Sequence, residues 1–449
     1  MSKTIYESIV RCLQRLLYRF RYFLIIIAIT YGFIMLSYNL RNYKLQRKEI
    51  SDDDDNVLEK QIINNQQLNY AKMYEQESDI HNSMNAIPLN SSQHGVIMIE
   101  NIVGEDSNVT RQRFIPPENI GESVKIIELS NEITQISNIN MGGCKEWKCI
   151  IHSRKSDMIM PIAEAVLMSS PKESYQRYPN QYYVLFTQES PANYPVIDLS
   201  FNLSLNFIRN SPISSPYGYT VKLAKASKPI GSIIHGDIIQ NKTIPIAWFV
   251  SNCRTASQRE RYVKHLKKYL TVDIFGSCGN MRCKQNDASC ESQLDNVYYF
   301  YLSFENSICE NYITEKLWKH GYGHDIIPIV LKRSIVERYV PPHSFIAVDD
   351  FTTIRDLANY LKYLMHNLSA YKEYFEWRRD YKVLFLDGNI HDQLERPWGF
   401  CQLCRLLWMK PRPKYVIENF TIFWDNKCES SGTLVNRILQ EEKLTKKKN

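Results

Sequence analysis

The apolar positions of this 449-residue chain form one long unbroken run near the start and, much later, two series of short runs alternating with amphipathic stretches. The unbroken run, residues 22–40 (YFLIIIAITYGFIMLSYNL), carries no charge. As a helix it would reach roughly 28 Å, enough to cross a hydrocarbon core. It is longer than a signal-peptide core and is followed by Arg41, Lys44, Arg47 and Lys48 with no small-residue cleavage site, which predicts a retained signal-anchor. Residues 41–140 are rich in Asn, Gln, Ser and acids and poor in aromatics. Such a stretch buries too little apolar surface to offset ordering entropy, so a flexible stem is expected, with strand-like patches only around 95–103.

Beyond the stem, WKCIIHSR and NQYYVLFTQESP read as buried strands, with a helical stretch expected at 162–168 between them. After a polar, proline-containing stretch the alternation repeats more plainly. IAWFVSN, TVDIFG, NVYYFYLSF and IIPIVLK read as strands, while ASQRERYVKHLKKYL, YITEKLWKHG and TTIRDLANYLKYLMHN read as helices. This predicts an α/β body of two Rossmann-like halves: 141–245, and 246–430 with a Cys-containing segment at its end. Residues 431–449 are expected to be a basic tail, solvated from Lys443 to the end.

The net charge of +7 would suggest nucleic-acid binding were it spread over the body. It is not: residues 1–48 hold nine basic residues and one acidic one, leaving the remainder near neutrality. No nucleic-acid partner is expected. Basic residues flank the span on both sides, so charge decides its orientation poorly. Cysteines decide it better, because of eleven only Cys12 precedes the span and ten lie beyond residue 143. Six N-x-S/T sequons, at Asn90, Asn108, Asn202, Asn241, Asn367 and Asn419, also lie beyond the span. Together these predict a short cytosolic tail (1–21), a single span (22–40) and a lumenal body.

The segment 298–332 holds the most chemistry. A hydrophobic run ends at Glu305-Asn306, and after a polar loop Tyr312-Ile313-Thr314-Glu315-Lys316 is expected to open a helix, whose free N–H groups and Lys316 would suit an anion. Arg259 begins another expected helix behind a strand, and Arg suits bidentate phosphate contact. Arg254 and Arg261 read as surface residues. Glu189 ends the strand-like YYVLFTQ. Cys401 and Cys404 form a CxxC, but with no second pair at ligand spacing they read as disulfide cysteines. Asp349-Asp350 could bind a divalent cation, and His152 lies in IIHSRKSD.

YLSFENSICENYITEKLW (301–318), PIVL (328–331) and RYVPPHSFIAVDDF (338–351), in this order, resemble the donor-binding region of the α1,3-fucosyltransferase family. SNCRTASQR (251–259) is similar to the family's S-N-x(6)-R element, and TQESP (187–191) to its E-S-P element. In 201–219 Phe207 and Asn210 stand where the family has Tyr and Asp. The resemblance covers roughly 144–428 and implies a Golgi type II membrane glycosyltransferase of GT-B fold that transfers fucose from GDP-fucose with inversion. It implies nucleotide contacts at Arg259, Asn306, Tyr312, Glu315 and Lys316, and Glu189 as the base. It also implies a structural role for Asp349 and Asp350 and a core or supporting role for His152. No cofactor or bound metal is required on this reading, with Mn²⁺ or Mg²⁺ at most stimulatory. The acceptor would be a GlcNAc residue of a glycan, in an N-glycan core or an antenna. A related glycosyltransferase of another linkage, and a catalytically silent membrane-tethered glycan-binding protein, remain the alternatives.

Overall fold

In the computed structural model of the chain the residues described are 86–448 apart from 92–94, 131–132, 134–135, 154–160, 170–176, 195–200, 284–287 and 387–392. The expected cytosolic tail, span and stem up to 85 lie outside them. Among the described residues no helix is long and apolar enough to cross a membrane.

The first described strands, β1 (Ile87–Ser91) and β2 (Gly95–Ile102), pair antiparallel. Next come β3 (Lys125–Leu129), β4 (Cys149–Ser153), β5 (Ala165–Met168), β6 (Tyr182–Phe186) and β7 (Leu203–Leu205). These five form a parallel sheet in the order β4-β3-β5-β6-β7. After β8 (Gly218–Leu223), the chain builds a second parallel sheet from β9 (Ile244–Phe249), β10 (Val272–Phe275), β11 (Tyr298–Leu302), β12 (Ile327–Val330) and β13 (Ile346–Ala347). Its order is β10-β9-β11-β12-β13. Finally β14 (Tyr381–Phe385) joins β8, closing an antiparallel sheet β1-β2-β8-β14. The α/β class and the two parallel sheets agree with the apolar pattern, and β9 begins at Ile244, two residues before the strand expected from Ile246.

Five expectations are corrected. The stretch 162–168 contains β5, not a helix: all four of its residues are buried in the middle of the sheet, and so short an apolar run has no period to distinguish the two. The expected helix at YITEKLWKHG is a loop followed by a single π-helical turn, Lys316–Gly321. The helical turn begins only at Lys316, and the N–H groups of Thr314 and Lys316, in the stretch expected to receive an anion, are taken by Glu305 Oε1 and Thr314 Oγ1.

The stem boundary at 140 is too late. Leu89, Ile97, Ile99 and Ile102 pack with Tyr219, Val221 and Leu384 in one core, and Ile127 and Leu129 of β3 lie at the centre of another. Polar side chains around these few strands disguised a segment whose apolar residues alternate toward the interior.

The C-terminal expectations change as well. The helix Gly399–Trp408 leaves the second sheet and packs on the first, joined to it by the disulfides Cys144–Cys401 and Cys149–Cys404. The segment from 431 is not tail throughout: helix Thr433–Lys448 buries Leu434, Val435, Ile438 and Leu439 against the second half, while residues 443–446 are exposed as expected of the basic end. Three more disulfides, Cys253–Cys278, Cys283–Cys290 and Cys309–Cys428, pair the remaining cysteines beyond residue 143.

Candidate active site

Both parallel sheets end their central strands in polar turns, the usual place for ligands in such sheets. Glu189 lies three residues past β6 and Glu305 three past β11. Between β11 and the π-helical turn, the 303–315 loop reaches across to the first sheet. Cys309 and Tyr312 there join Val166, Met168, Tyr183, Leu185 and Phe207 in a shared apolar cluster. The loop is shaped by Asn311, whose φ of 63° is a left-handed conformation that Asn tolerates, and whose Oδ1 accepts from the Arg209 backbone N–H at 3.0 Å. Phe207 meets the Tyr312 ring edge-on at 4.9 Å between centroids, so this departure from the family pattern backs Tyr312 with apolar surface.

That crossing brings expected donor-side residues onto the expected base. Tyr312 Oη donates to Glu189 Oε1 at 2.5 Å and Asn306 Nδ2 donates to the same oxygen at 3.2 Å. The Ser190 N–H adds a third bond, 3.1 Å. Among the described residues none bonds to Oε2, so one carboxylate oxygen is held and the other is left for a proton. The Ser307 hydroxyl donates to Ser190 Oγ at 2.6 Å beside these contacts. Tyr217, just before β8, donates to the Gln188 carbonyl at 2.7 Å and braces the turn carrying Glu189. Burial, and then the Glu315, Glu305 and Glu189 carboxylates, push the Tyr217 phenol well above its usual value, so it remains a donor. Tyr312 is raised in the same way, by burial first and then Glu305. Gly218 follows because a Cβ there would stand 2.7 Å from both Leu384 O and Trp318 Cγ.

The second group lies beneath. Glu305 Oε1 accepts from the Thr314 N–H at 2.8 Å and from its hydroxyl at 2.9 Å. Lys316 Nζ contacts Glu305 Oε2 at 3.2 Å, Thr314 Oγ1 at 2.9 Å and Glu315 Oε1 at 3.0 Å. Burial alone would lower the Lys316 pKa, but the Glu305 and Glu315 carboxylates outweigh it and leave it raised. Burial raises Glu305 despite the nearby ammonium, whereas Lys316 outweighs burial at Glu315 and lowers it. A small open cleft lies beside this network, lined by Glu305, Ser307, Tyr312, Lys332, Ile308 and Ile335 among others.

Arg259 begins the helix Arg259–Leu266 as expected, but only 2% of it is exposed. Its guanidinium donates to the carbonyls of Phe304 and, at 3.3 Å, Asn252, and lies 5.7 Å from the Trp248 ring centroid. It supports the 304–306 turn from behind and adds positive potential there, while burial lowers its pKa against the pull of Glu305. Its Nε is buried without a partner among the described residues.

The other candidates fall outside this cluster. Arg254 is exposed, as is Arg261, which bonds Asn436. Asp350 binds Arg333 through both carboxylate oxygens and Asp349 accepts the Arg333 N–H, both structural roles. His152 lies on β4, remote in sequence from the turns, with Nδ1 buried and unpartnered among the described residues. Among the described residues no group of three or more His, Cys, Asp or Glu is placed to hold a metal ion. Of the sequons, Asn108, Asn241 and Asn419 are exposed, and Asn367 is a half-buried helix cap. The amide of Asn202 is spent internally, accepting from the Tyr183 N–H at 2.8 Å and donating to the Tyr415 carbonyl at 2.9 Å. The Asn90 side chain lies outside the description.

Sequence reasoning missed three contributors to this site: Glu305, Thr314 and Tyr217. The first two sit within the motif run, and their polarity among buried neighbours was the available signal.

The model described as "Glycosyltransferase family 10 (fucosyltransferase) C-term" matches residues 239–422, and "Fucosyltransferase, N-terminal" matches 122–218. Alpha-(1,3)-fucosyltransferase fut-1 of Caenorhabditis elegans is 50% identical over 306 residues, 67% of this chain and 70% of that protein. Alpha-(1,3)-fucosyltransferase C of Drosophila melanogaster is 32% identical over 250 residues, 52% and 56% of the two chains. A crystal structure of an α1,3-fucosyltransferase aligns over 70% of this chain and 95% of its own, at 19% identity and a TM-score of 0.43. With two family models spanning both parallel sheets and a half-identical relative covered over more than two thirds of its length, the chain belongs to glycosyltransferase family 10, the fucosyltransferases.

Proposed function

We propose that this protein is an inverting α1,3-fucosyltransferase that moves L-fucose from GDP-fucose to the 3-hydroxyl of a GlcNAc residue in a glycan. The observation that carries the reading is the contact of Glu189 with Tyr312 and Asn306. It sets a carboxylate of one sheet's turn against the ammonium-bearing turn of the other. Glu189 Oε2 takes the proton of the acceptor hydroxyl as its oxygen attacks the anomeric carbon. The bond from that carbon to the phosphate oxygen breaks on the opposite face, and GDP leaves with the electron pair. Lys316 meets the charge that grows on the diphosphate, Arg259 adds potential from behind, and Asn306, Tyr312 and Glu315 hold the donor.

On this reading the body has a GT-B arrangement, supported by two parallel α/β halves whose strand ends share one site. The chain is a single-pass type II Golgi protein, with the span at 22–40 and a stem reduced to 41–85. The reaction needs no metal. GDP-fucose offered to the purified protein with a panel of LacNAc and N-glycan acceptors, followed by linkage analysis of the product, tests the proposal. Fucose on O3 of GlcNAc supports it. Another linkage assigns the chain a different transfer, and absence of turnover with every acceptor leaves a glycan-binding protein.

A further inference from the structure

Three consecutive carbonyls of the turn that carries Asn306 are held from one short segment. Beyond Ser303, whose N–H bonds the Ile329 carbonyl of β12 at 2.9 Å, the chain leaves the second sheet. The Phe304 carbonyl then accepts from the Arg259 guanidinium, the Glu305 carbonyl from Ser257 Oγ at 2.7 Å, and the Asn306 carbonyl from the Ser257 N–H at 2.9 Å. Ser257 lies just before helix Arg259–Leu266 and is only 3% exposed. Tyr262 of that helix meets the Phe304 ring edge-on at 5.8 Å between centroids.

The carbonyls of Glu305 and Asn306 belong to the two peptide groups that flank the Asn306 Cα. Peptide groups are rigid planes, so a residue that holds both fixes the backbone dihedrals between them and the direction in which the side chain leaves. Any residue at 257 supplies the N–H; the hydroxyl is what serine adds. The Glu305 carbonyl, at 2.7 Å, is nearer to that hydroxyl than Thr255 Oγ1 at 3.1 Å, and the Thr255 hydroxyl itself donates to Glu260 Oε2 at 2.9 Å. At the other end, Asn306 Nδ2 reaches Glu189 Oε1 at 3.2 Å. That is already the long limit of an N–H···O bond, so a shift of about 0.5 Å in the turn breaks it.

We propose that Ser257 is a positioning residue for Asn306: by holding both peptide groups around it, Ser257 aims the Asn306 amide at Glu189 and keeps the donor-side turn in register with the base. The inference rests on the reading of Glu189 as the base and Asn306 as a donor contact.

The test is a double-mutant cycle on the detergent-solubilised full chain: wild type, Ser257→Ala, Asn306→Ala and the double variant. Transfer from GDP-fucose is measured with whichever LacNAc or N-glycan acceptor supports turnover, and rates are expressed per GDP-binding site so that unfolded protein does not count. Ser257→Ala leaves the buried Glu305 carbonyl without its hydroxyl donor and should lower kcat about tenfold. In the Asn306→Ala background the same substitution should change kcat by less than about twofold, because the side chain it aims is gone.

A residue that only supports the fold would lower the melting temperature and leave kcat per site unchanged, or would act equally in both backgrounds. Either result overturns the positioning while the reading of the site stands. If Asn306→Ala transfers fucose at the normal rate with an unchanged KM for GDP-fucose, the reading of Asn306 itself fails and the inference goes with it. Should Ser257→Ala not fold, Ser257→Cys, whose thiol is a weak donor in nearly the same space, takes its place in the cycle with the same expected sign.

Discussion

Deleting the segment before residue 140, which composition alone assigns to a dispensable stem, should unfold the protein. The deletion removes β1, β2 and β3, and with them Leu89, Ile97, Ile99, Ile102, Ile127 and Leu129, all at most 5% exposed. Burying one such side chain stabilises by about 1.5–3 kcal/mol, so the six together contribute roughly 9–18 kcal/mol. The total stability of a typical domain is about 5–15 kcal/mol. Hydrogen bonding points the same way. β3 lies between β4 and β5, so its loss strips both neighbours, and the Glu105 partner of the buried Arg209, at 3.1 Å, goes too. A fragment beginning at residue 86 should retain all of this. The assay is secretion of 86–449 and 140–449 behind a cleavable signal, followed by circular-dichroism melting and GDP binding. The longer fragment should melt cooperatively and bind GDP, and the shorter should be retained in the cell or lack a transition. A cooperative melt and normal GDP binding by 140–449 would refute the reasoning and return 86–139 to the stem.

Three further outcomes follow from the site and its surroundings. In Glu189→Gln the amide oxygen can still accept from Tyr312, Asn306 and Ser190, so GDP affinity and melting temperature should hold while transfer falls on the order of a hundred-fold or more, measured as GDP release with acceptor present. His320, packed against the Phe249 and Tyr301 rings, has its pKa lowered from 6.5 to about 4, with burial the main cause. Between those values the unfolded chain binds the extra proton, so His320 withdraws up to about 3 kcal/mol of stability as pH falls from 6.5 toward 4; denaturant melts should show that slope, flattened in His320→Phe. Asn202 should be unglycosylated in the folded, secreted protein, whereas Asn108, Asn241 and Asn419 are open to modification; peptide mass spectrometry at each sequon checks this, and a fully occupied Asn202 would contradict its internal bonds.

The readings that survived were those carried by a local pattern. β4, β6 and β9 to β12 were visible because buried strands of a parallel sheet are short apolar runs ending in polar turns, a property of neighbouring residues. Helix Ile354–His366 was visible through its amphipathic spacing, and the structure adds its Thr353–Asp356 capping box. TQESP and the FEN-to-EK series, each a continuous stretch, singled out Glu189, Asn306, Tyr312, Glu315 and Lys316 as candidates one by one.

What the chain's order could not disclose is which of these meet. Glu189 and Tyr312 are 123 positions apart, and their 2.5 Å contact exists because the 303–315 loop packs onto the far sheet. The same holds for Cys144–Cys401 and Cys149–Cys404, whose pairing depends on the helix Gly399–Trp408 returning to the first half. It holds for β5, whose AVLM reads equally as helix or strand until two neighbouring strands supply hydrogen bonds, and for Arg259, whose expected phosphate-facing guanidinium is held by the carbonyls of Phe304 and Asn252. Side-chain chemistry and short-range period are written along the sequence; the partner that satisfies a buried charge, thiol or strand edge is set by packing between distant segments, and only the folded chain decides it.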